Sequence, residues 1–463
     1  MKTKLIFLLT LLTTTCFAQS KLAGFVTEQN SGKRPVANAM IKSVGANPIA
    51  SSNDGKFILT FQNLPAGKSI YVRAEKDGWE AVNEKELNTF IPASLDEKPL
   101  KIIVCEAGKL AKAKSKYYDT FELNLQNELA KQKAQNKGNE KQIAKLEEEF
   151  AKIQEQLNDL ADEYSRINLD DASEKELKAI RLFNEGKYKE FMELKNSIVT
   201  EAQVDKAINN KGAGNKQIAD GKAKVANSDS TIALYFKSQG DIAKTQILQF
   251  DFRGAEETYE RIVTKDTANY DNIFNLAYFL AKQNQHDKAI LYCQKAFKLA
   301  KTEYNVATTQ NNLGMLYRAK NEYDAALVAS QKALEIYERL AKINPASYES
   351  DVAMTLNNLG ILYQDKNNYD AAFNALSKAL IIDERFAKTN PAGFDMDFCR
   401  SIVLLCLLQK TDFQAHRQSQ IDEYLGKAKI ILLKPKYETL PLAKGLLGYV
   451  NDLEEYFKTK NNP

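Results

Sequence analysis

An internal repeat of 46 residues is the sequence feature that most limits how this chain folds. Residues 311–352 and 357–398 are identical at 25 of 42 aligned positions. Within each copy, apolar residues recur every three or four positions, and small residues stand where two helices would touch. A single helical hairpin of this kind cannot bury its own apolar face, so its copies must stack. The repeat therefore predicts an α-solenoid in the C-terminal half.

The spacing of the shared residues resembles a known repeat family. The first copy has Leu313-Gly314 and Tyr317 on one helix and Ala326 and Ala333 on the next, and its twin has the same residues 46 positions later. This pattern is similar to the tetratricopeptide repeat (TPR), and the 46-residue period with Asn-Pro resembles its kinesin-light-chain-like variant. Weaker copies place a TPR array with C-terminal capping helices at 229–457, and degenerate TPR-like helices at 171–228.

Residues 19–106 have a different pattern. Short alternating runs, such as Lys56–Phe61 and Ser69–Ala74, are separated by turn residues, which predicts a small β-sandwich. The order Gly24-x-Val26, Asp54-Gly55-Lys56-Phe57 and Asp77-Gly78-Trp79 resembles the carboxypeptidase regulatory-like domain. That resemblance implies a seven-stranded, transthyretin-like sandwich without an active site of its own. Trp79 is interpreted either as an aromatic plug of the sandwich or as an exposed platform for sugars.

Residues 107–170 predict a helical connector. Apolar residues follow one another by steps of three and four from Ile143 to Ile167, and a helix with this period needs a partner helix. The partner is either the upstream stretch 110–129, folded back at residues 136–139, or a second chain in a coiled coil. The predicted fold class is thus multidomain β + α: a β-sandwich, a helical or coiled-coil connector and a TPR α-solenoid.

The first 18 residues have the pattern of a secretory signal peptide. Lys2 and Lys4 precede an apolar run that is too short to span a bilayer, and Cys16-Phe17-Ala18 is a cleavage pattern before Gln19. Cys16 lacks the preceding residues of a lipoprotein signal. The ending resembles leaders of Bacteroidota, which implies a periplasmic or secreted protein with no integral membrane segment after cleavage.

Four cysteines follow the leader: Cys105, Cys293, Cys399 and Cys406. In an oxidising compartment an even number suggests disulfides. Three of them, however, fall at small helix-packing positions of the repeats. This placement favours reduced thiols in the core over a bridge.

Charge and composition exclude several classes of function. The net charge is +4, and +2 without Lys2 and Lys4, so the chain has no cationic excess for nucleic acid. With only two His residues, a His-based metal site or catalytic triad is difficult to build. The sequence therefore predicts a protein that is not an enzyme and takes no cofactor.

The resemblance to TPR proteins implies a binding groove lined by the first helix of each hairpin. In that family, groove-facing positions lie two before, two after and five after the shared Leu. Asparagine amides suit the backbone of an extended peptide, and an arginine suits a carboxylate. The alternative is that the asparagines only join neighbouring helices. Carried over to this chain, the groove residues are Phe274, Tyr278, Ala281, Asn311, Met315, Arg318, Asn357, Ile361 and Gln364.

Three functions remain open at this stage. The first is an exported scaffold that captures a protein or peptide partner in the TPR groove, with self-association through the connector as a further possibility. The second is an adaptor for glycans or the cell envelope that reads its ligand through the β-sandwich around Trp79. The third is a hydrolase with paired carboxylates in the groove, which the absence of Asp and Glu from the predicted groove residues disfavours.

Overall fold

The computed structural model describes residues 19–95, 97, 99–214, 221–389, 391–411, 418–434, 437 and 441–461. The predicted signal peptide, residues 1–18, lies outside this range. The described residues form two compact units. One, the β unit, extends to Leu110 and includes Asn168–Asp171, and the other, the helical unit, comprises Ala111–Ile167 and the chain from Ala172 onward.

The β unit consists of two four-stranded sheets, counted over the described residues. The strands are β1 Ser20–Glu28, β2 Met40–Ser43, β3 Ile49–Ala50, β4 Lys56–Phe61, β5 Ser69–Glu75, β6 Trp79–Ala81, β7 Asn88–Phe90 and β8 Leu100–Glu106. The first sheet has the order β4-β1-β8-β6, with β1 parallel to β8 and antiparallel to β4, and the second has the order β3-β2-β5-β7. Both sheets contribute to one apolar core, in which Val26, Ile41 and Phe61 are fully buried.

Two details of the β unit bear on the sequence analysis. The unit has eight strands among the described residues, one more than the resemblance implies, and the extra pairing comes from runs of two or three residues that are too short to show a pattern. Trp79 is half-buried against the core, and the Lys76 ammonium lies 5.7 Å from the centroid of its ring. Part of the Trp79 side chain therefore packs on the core of the β unit, and the aromatic plug and the sugar platform both stay predictions.

A remote segment completes the β unit. The carboxylate of Asp170 accepts hydrogen bonds from three successive backbone N–H groups, those of Ser31, Gly32 and Lys33, at 2.9–3.1 Å. The preceding residue, Asn30, is held in the same way, because its backbone N–H donates to the Asn168 side chain. The turn at 31–33 is therefore held by a residue almost 140 positions away, a contact that no local pattern predicts.

The helical unit begins with a long hairpin of α1 (Lys109–Gln135) and α2 (Glu140–Ser165), which α3 (Glu174–Asn184) follows. Phe121 of α1 and Tyr164 of α2 meet edge to face with ring centroids 5.0 Å apart, and both rings contact Phe183 of α3. Gln154 of α2 also donates a hydrogen bond to Glu122 of α1 at 3.0 Å. The apolar face of α2 thus packs against other helices of the same chain. Self-association through the connector stays a prediction.

The remaining helices follow as consecutive hairpins. The described helices are α1 Lys109–Gln135, α2 Glu140–Ser165, α3 Glu174–Asn184, α4 Tyr188–Ile198, α5 Glu201–Gly214, α6 Gly221–Leu248, α7 Phe252–Lys265, α8 Tyr270–Lys282, α9 His286–Leu299, α10 Glu303–Ala319, α11 Tyr323–Ile343, α12 Pro345–Asp365, α13 Tyr369–Thr389, α14 Pro391–Thr411, α15 Gln418–Leu432 and α16 Pro441–Asn461. Helices α8, α10, α12 and α14 are the first helices of their hairpins. Over the described residues, none of the helices is both long and apolar enough to cross a bilayer.

The same turn closes the first helix of three hairpins. Asn284, Asn321 and Asn367 have φ near +60°, a conformation that asparagine tolerates better than most residues. After Asn321, the backbone N–H of Glu322 donates to the Tyr317 carbonyl, which caps the end of α10. The equivalent bonds follow Asn284 and Asn367. The sequence therefore reverses the chain at the same place in each copy.

Small residues let the two helices of each hairpin approach closely. An added Cβ at Gly314 would lie 2.1 Å from the Ser330 Oγ atom, and one at Gly360 would lie 2.5 Å from the Leu376 side chain. Ala326 and Ala372, which follow on the second helices, are fully buried. The spacing of Gly and Ala that identified the repeat is thus the spacing of closest helix contact.

Surface ion pairs repeat with the hairpins. Lys320 pairs with Asp287, and Lys366 pairs with Asp324 in the next copy, each at 2.6 Å. Exposed pairs contribute little stability, about 0–1 kcal/mol each. Their recurrence shows instead that each hairpin has the same register on the one before it.

The four cysteines of the described chain, Cys105, Cys293, Cys399 and Cys406, are free and buried. Burial is the main cause that raises the pKa of each thiol to about 12. A buried thiol with so high a pKa is a poor nucleophile. Cys293, Cys399 and Cys406 act as small apolar side chains in the helix contacts, and Cys105 lies on strand β8.

The close helix contact can be tested with two glycine substitutions. Gly360→Ala places a methyl group against the buried Leu376, and we expect a loss of about 1–3 kcal/mol from overpacking, which exceeds the gain of about 1 kcal/mol in helix propensity. In the matched control Gly448→Ala, on α16, no described atom of a neighbouring element lies within 4 Å of the new methyl group, so the propensity gain alone should stabilise the chain. Urea denaturation of both variants measures the difference. Equal changes in the two midpoints would contradict the packing argument.

Candidate partner-binding face

The residues predicted to line the groove lie on α8, α10 and α12, which pack side by side together with α14. Hydrogen bonds run directly from one of these helices to the next. Arg318 of α10 binds Asp365 of α12, and Gln364 of α12 binds Thr411 of α14. We call the surface formed by equivalent positions of these four helices the first-helix face.

Asn311 and Asn357 lie beneath this face rather than on it. Asn311 is 1% exposed, and its Oδ1 atom accepts a hydrogen bond of 3.2 Å from the Nδ2 group of Asn358. Asn357 is 9% exposed and donates from Nδ2 to the Ser401 Oγ atom at 2.7 Å. Both side chains therefore join neighbouring first helices, and their predicted contact with a partner stays a prediction.

The next position along each helix is the more accessible one. Asn275 is exposed, and Asn312 and Asn358 are half-buried. These three residues are not among the predicted groove residues, although an Asn recurs there at offsets of 37 and 46 residues. This recurrence is the sequence signal that marks them.

Arg318 and Gln364 lie near the carboxyl ends of α10 and α12, and each already has a partner within the chain. The Nε atom of Arg318 donates to Asp365 Oδ2 at 2.5 Å, and its Nη2 atom lies 3.5 Å from Oδ1. Gln364 donates from Nε2 to the Thr411 hydroxyl at 3.1 Å. The guanidinium predicted to hold a carboxylate of a ligand is therefore paired with a carboxylate of the chain itself.

The apolar members of the predicted set divide into two groups. Tyr278, Met315 and Ile361 are at least partly accessible, and Met315 is 50% exposed. Phe274 instead stacks on Tyr270, with ring centroids 5.5 Å apart, and the Tyr270 hydroxyl donates to the Asn305 carbonyl of α10. Phe274 thus packs on Tyr270 within α8, and Ala281 packs against the core of the helical unit. Both are half-buried, as are Tyr278 and Ile361.

The α1–α2 hairpin contacts the last helices of the unit. The Lys114 ammonium lies 6.0 Å from the centroid of the Phe394 ring on α14, and α2 packs against α16. Burial lowers the pKa of Lys114, and the nearby carboxylates of Asp162, Asp159 and Asp397 oppose that shift. The amino-terminal part of α14 is therefore covered by the chain itself.

A buried carboxylate connects three helices under the first-helix face. Asp383 of α13 accepts a hydrogen bond of 2.6 Å from Ser401 of α14, which in turn is bound by Asn357 of α12. Burial raises the pKa of Asp383 to about 6, the hydrogen bond from Ser401 opposes this shift, and the charge of Asp397 adds to it. Asp383 is therefore a structural acid that titrates near neutral pH.

The described residues contain no group of three or more His, Cys, Asp or Glu side chains arranged to hold a metal ion. On the first-helix face itself, the charged groups Arg318 and Asp365 neutralise each other. The chemistry that this face offers is apolar contact from Met315 and its equivalents and hydrogen bonding from asparagine amides.

Comparison with known proteins identifies the repeats. Family models described as tetratricopeptide repeat match residues 266–339 and residues 352–385, so these segments are TPRs. No curated protein matches the chain significantly.

Several solved structures are similar to the chain. BtubC (BKLC) from P. vanneervenii is 22% identical, with a TM-score of 0.39, over 50% of this chain and 90% of BtubC. A putative kinesin light chain with nearly identical TPR-like repeats from Podosopora anserina is 15% identical, with a TM-score of 0.36, over 43% of this chain and 96% of that one. MamA is 20% identical, with a TM-score of 0.31, over 42% and 91% of the two chains. At these identities the likeness concerns the fold alone.

The titration of Asp383 predicts how stability depends on pH. Its pKa is raised from 3.8 to about 6 in the folded chain, so between these values the folded state binds more protons than the unfolded state. Stability should therefore rise as the pH falls from 7 to 5. At about 1.4 kcal/mol per pKa unit, the contribution is at most about 3 kcal/mol.

Asp383→Asn should remove this contribution while keeping an acceptor for Ser401. We expect the variant to be more stable than the parent chain at pH 7 and closer to it at pH 5, as measured by urea denaturation midpoints. The control is Asp324→Asn, because Asp324 lies on the surface and its pKa is lowered by the hydrogen bond from Lys366. If the urea midpoints of the parent chain and of the Asp383→Asn variant depended on pH in the same way, ionisation of Asp383 would not lower the stability of the folded chain.

Proposed function

Starting from the tetratricopeptide repeats at 266–339 and 352–385, we propose that this chain is an exported, non-enzymatic scaffold that captures a peptide or protein partner on its first-helix face. TPR repeats indicate a protein–protein interaction scaffold. The observation that carries the proposal is the half-exposed Met315, a large apolar side chain at the centre of this face.

Capture on this face is supported by the distribution of accessible groups. Met315 and Ile361 offer flexible or branched apolar contacts at equivalent positions of adjacent hairpins. Methionine is common at surfaces that bind partners, because its unbranched side chain adapts to different shapes. The half-buried amides of Asn312 and Asn358 lie one helical turn away or less and add polar contacts.

The non-enzymatic part of the proposal rests on how the reactive groups are used. The carboxylate of Asp365 is paired with Arg318, and that of Asp383 is buried in a hydrogen-bonded cluster. The cysteine thiols are buried, with the pKa of each raised to about 12. General acid–base and nucleophilic catalysis both need groups that a substrate can reach, whereas Asp365 is paired with Arg318, and Asp383 and the cysteine thiols are buried.

The capture proposal predicts where a bound partner lies. A photoreactive phenylalanine derivative introduced at Met315 should give a discrete cross-linked adduct when the full chain is expressed in its native cell and irradiated. The matched control is the same substitution at Val328, which lies on the second helix α11 and is 52% exposed. Mass spectrometry of the adduct identifies the partner. An adduct of equal yield at both positions, or at neither, would remove the first-helix face as the capture surface.

Export predicts a processed amino terminus. If residues 1–18 are a cleaved leader, the mature chain should begin at Gln19 and be recovered outside the cytoplasm. Fractionation of the native cell shows where the chain is located, and mass determination of the recovered chain shows where it begins. A chain that retains Met1 and is recovered in the cytoplasmic fraction would rule out export. It would not affect the proposal that the first-helix face captures a partner.

A further inference from the structure

The α1–α2 hairpin contacts helices from both ends of the helical unit. Near the beginning of the unit, the Phe121 ring of α1 contacts Phe183 of α3. Near its end, the Lys114 ammonium of α1 lies 6.0 Å from the centroid of the Phe394 ring on α14, and α2 packs against α16. One hairpin therefore connects α3 with α14 and α16.

The contact at α3 is aromatic and buried. Phe121 and Phe183 are at most 1% exposed, and their ring centroids lie 5.2 Å apart. Tyr164 of α2 stacks on Phe183 at 4.9 Å, and Phe191 of α4 adds a further ring at 5.1 Å. Aromatic side chains bury large apolar areas, so separation at α3 would expose a core to water. The hairpin is therefore fixed at this end.

The contact at α14 contains a cation, Lys114. Burial is the main cause that lowers the pKa of its ammonium group, and nearby carboxylates, those of Asp162 and Asp397 among them, oppose this shift. Both carboxylates are shared with another cation, since Asp162 pairs with Arg166 at 2.9 Å and Asp397 with Arg400 at 3.5 Å. The ammonium group therefore loses hydration that its neighbours replace only in part. Release of Lys114 into water restores that hydration.

The apolar part of the contact at α14 is small. Tyr118, one helical turn after Lys114, packs against both the core that contains Phe183 and the core formed by α13–α16. It is only partly buried, as is Phe394, whereas Phe121 at the other end is fully buried. Opening at α14 therefore exposes less apolar surface than opening at α3 would.

The contact with α1 covers part of the first-helix face. Asp397 of α14 stands 46 residues after Asp351 of α12, at the equivalent position. Burial raises the pKa of Asp397, and the charges of Arg400 and Lys114 oppose that shift. At the position equivalent to Arg400, α12 has Met354, which is 45% exposed. The covered part of α14 thus continues an accessible surface of α12.

We propose that the α1–α2 hairpin opens at α14 and α16 while it stays packed at α3, and that a captured partner extends onto the part of α14 that this opening uncovers. In the closed arrangement described above, α1 occupies that part of α14, so closure and binding of the partner compete. A partner that contacts only the open arrangement shifts the chain toward it, because a ligand favours the conformation that it binds better. This inference rests on the proposed function and adds a regulating contact to it.

Hydrogen exchange of the full chain measures the opening. Lys114→Glu places a carboxylate beside Asp162 and Asp397, so the backbone amides of residues 394–400 should exchange at least about tenfold faster than in the parent chain. The amides of α3 around Phe183 should keep their rates. The matched control is Lys112→Glu, which makes the same change of charge at an exposed position of α1 and should leave the rates at 394–400 unchanged.

A second substitution should act in the opposite direction. Lys114→Met keeps an unbranched side chain against Phe394 and removes the charge that burial disfavours, so exchange at 394–400 should slow by about twofold or more. Circular dichroism confirms that each variant is folded. If Lys114→Glu and Lys112→Glu exchanged alike at 394–400, or if Lys114→Met exchanged faster than the parent chain, the proposed opening would be wrong.

Photo-cross-linking in the native cell tests the contact with the partner. A photoreactive phenylalanine derivative at Phe394 keeps an aromatic ring there, and it should cross-link to α1 in the parent chain and to a partner in the Lys114→Glu variant. The same derivative at Met315 reports capture independently. A partner adduct at Met315 without one at Phe394 in the Lys114→Glu variant would overturn this inference and leave capture intact. Absence of both adducts would overturn the inference together with the proposed function.

Discussion

The helical unit depends on close contact between the two helices of each hairpin. A single hairpin has too little apolar surface to form a core of its own, so it must share a core with its neighbours. Gly314 and Gly360 have no room for a Cβ, and Ala326 and Ala372 are fully buried beside them. Close contact leaves few voids and increases the dispersion attraction between the helices. The left-handed turns at Asn321 and Asn367 then return the chain in the same register each time. The repeated ion pairs and the aligned first helices follow from this register.

Alignment of the first helices creates a second requirement, because polar side chains between them are cut off from water. Asn311 and Asn357 meet it by bonding across to the next helix, and Ser401 connects Asn357 to the buried Asp383. A buried polar group without a partner is costly, so such connections favour one arrangement of the helices over others. The side chains left accessible are therefore the neighbours of the buried ones, and they define what the face can bind.

Much of this organisation could be predicted from the sequence, but the candidate site only in part. Helix type, hairpin turns and the equivalence of positions follow from the repeat itself. Which of two adjacent asparagines points outward does not, since a rotation of the helix by one residue exchanges Asn311 for Asn312. The pairing of Arg318 with Asp365 was also missed, because it joins residues 47 positions apart on different helices. The apolar face of α2 likewise predicted an apolar partner but not which one. In the structure, Tyr164 of α2 contacts Phe121 and Phe183, which are that partner.

The sequence by itself determined that the C-terminal half is a stack of TPR-like hairpins, because small and large apolar residues recur at helical spacing with a fixed offset, and that the N-terminal part is built of short strands. Only the tertiary structure decided which repeat positions are accessible, which charges are neutralised and where the α1–α2 hairpin lies within its unit. The reason is physical. Periodicity records the contacts that each copy makes in the same way, whereas exposure and charge pairing depend on side chains from different hairpins that meet only after the stack has formed.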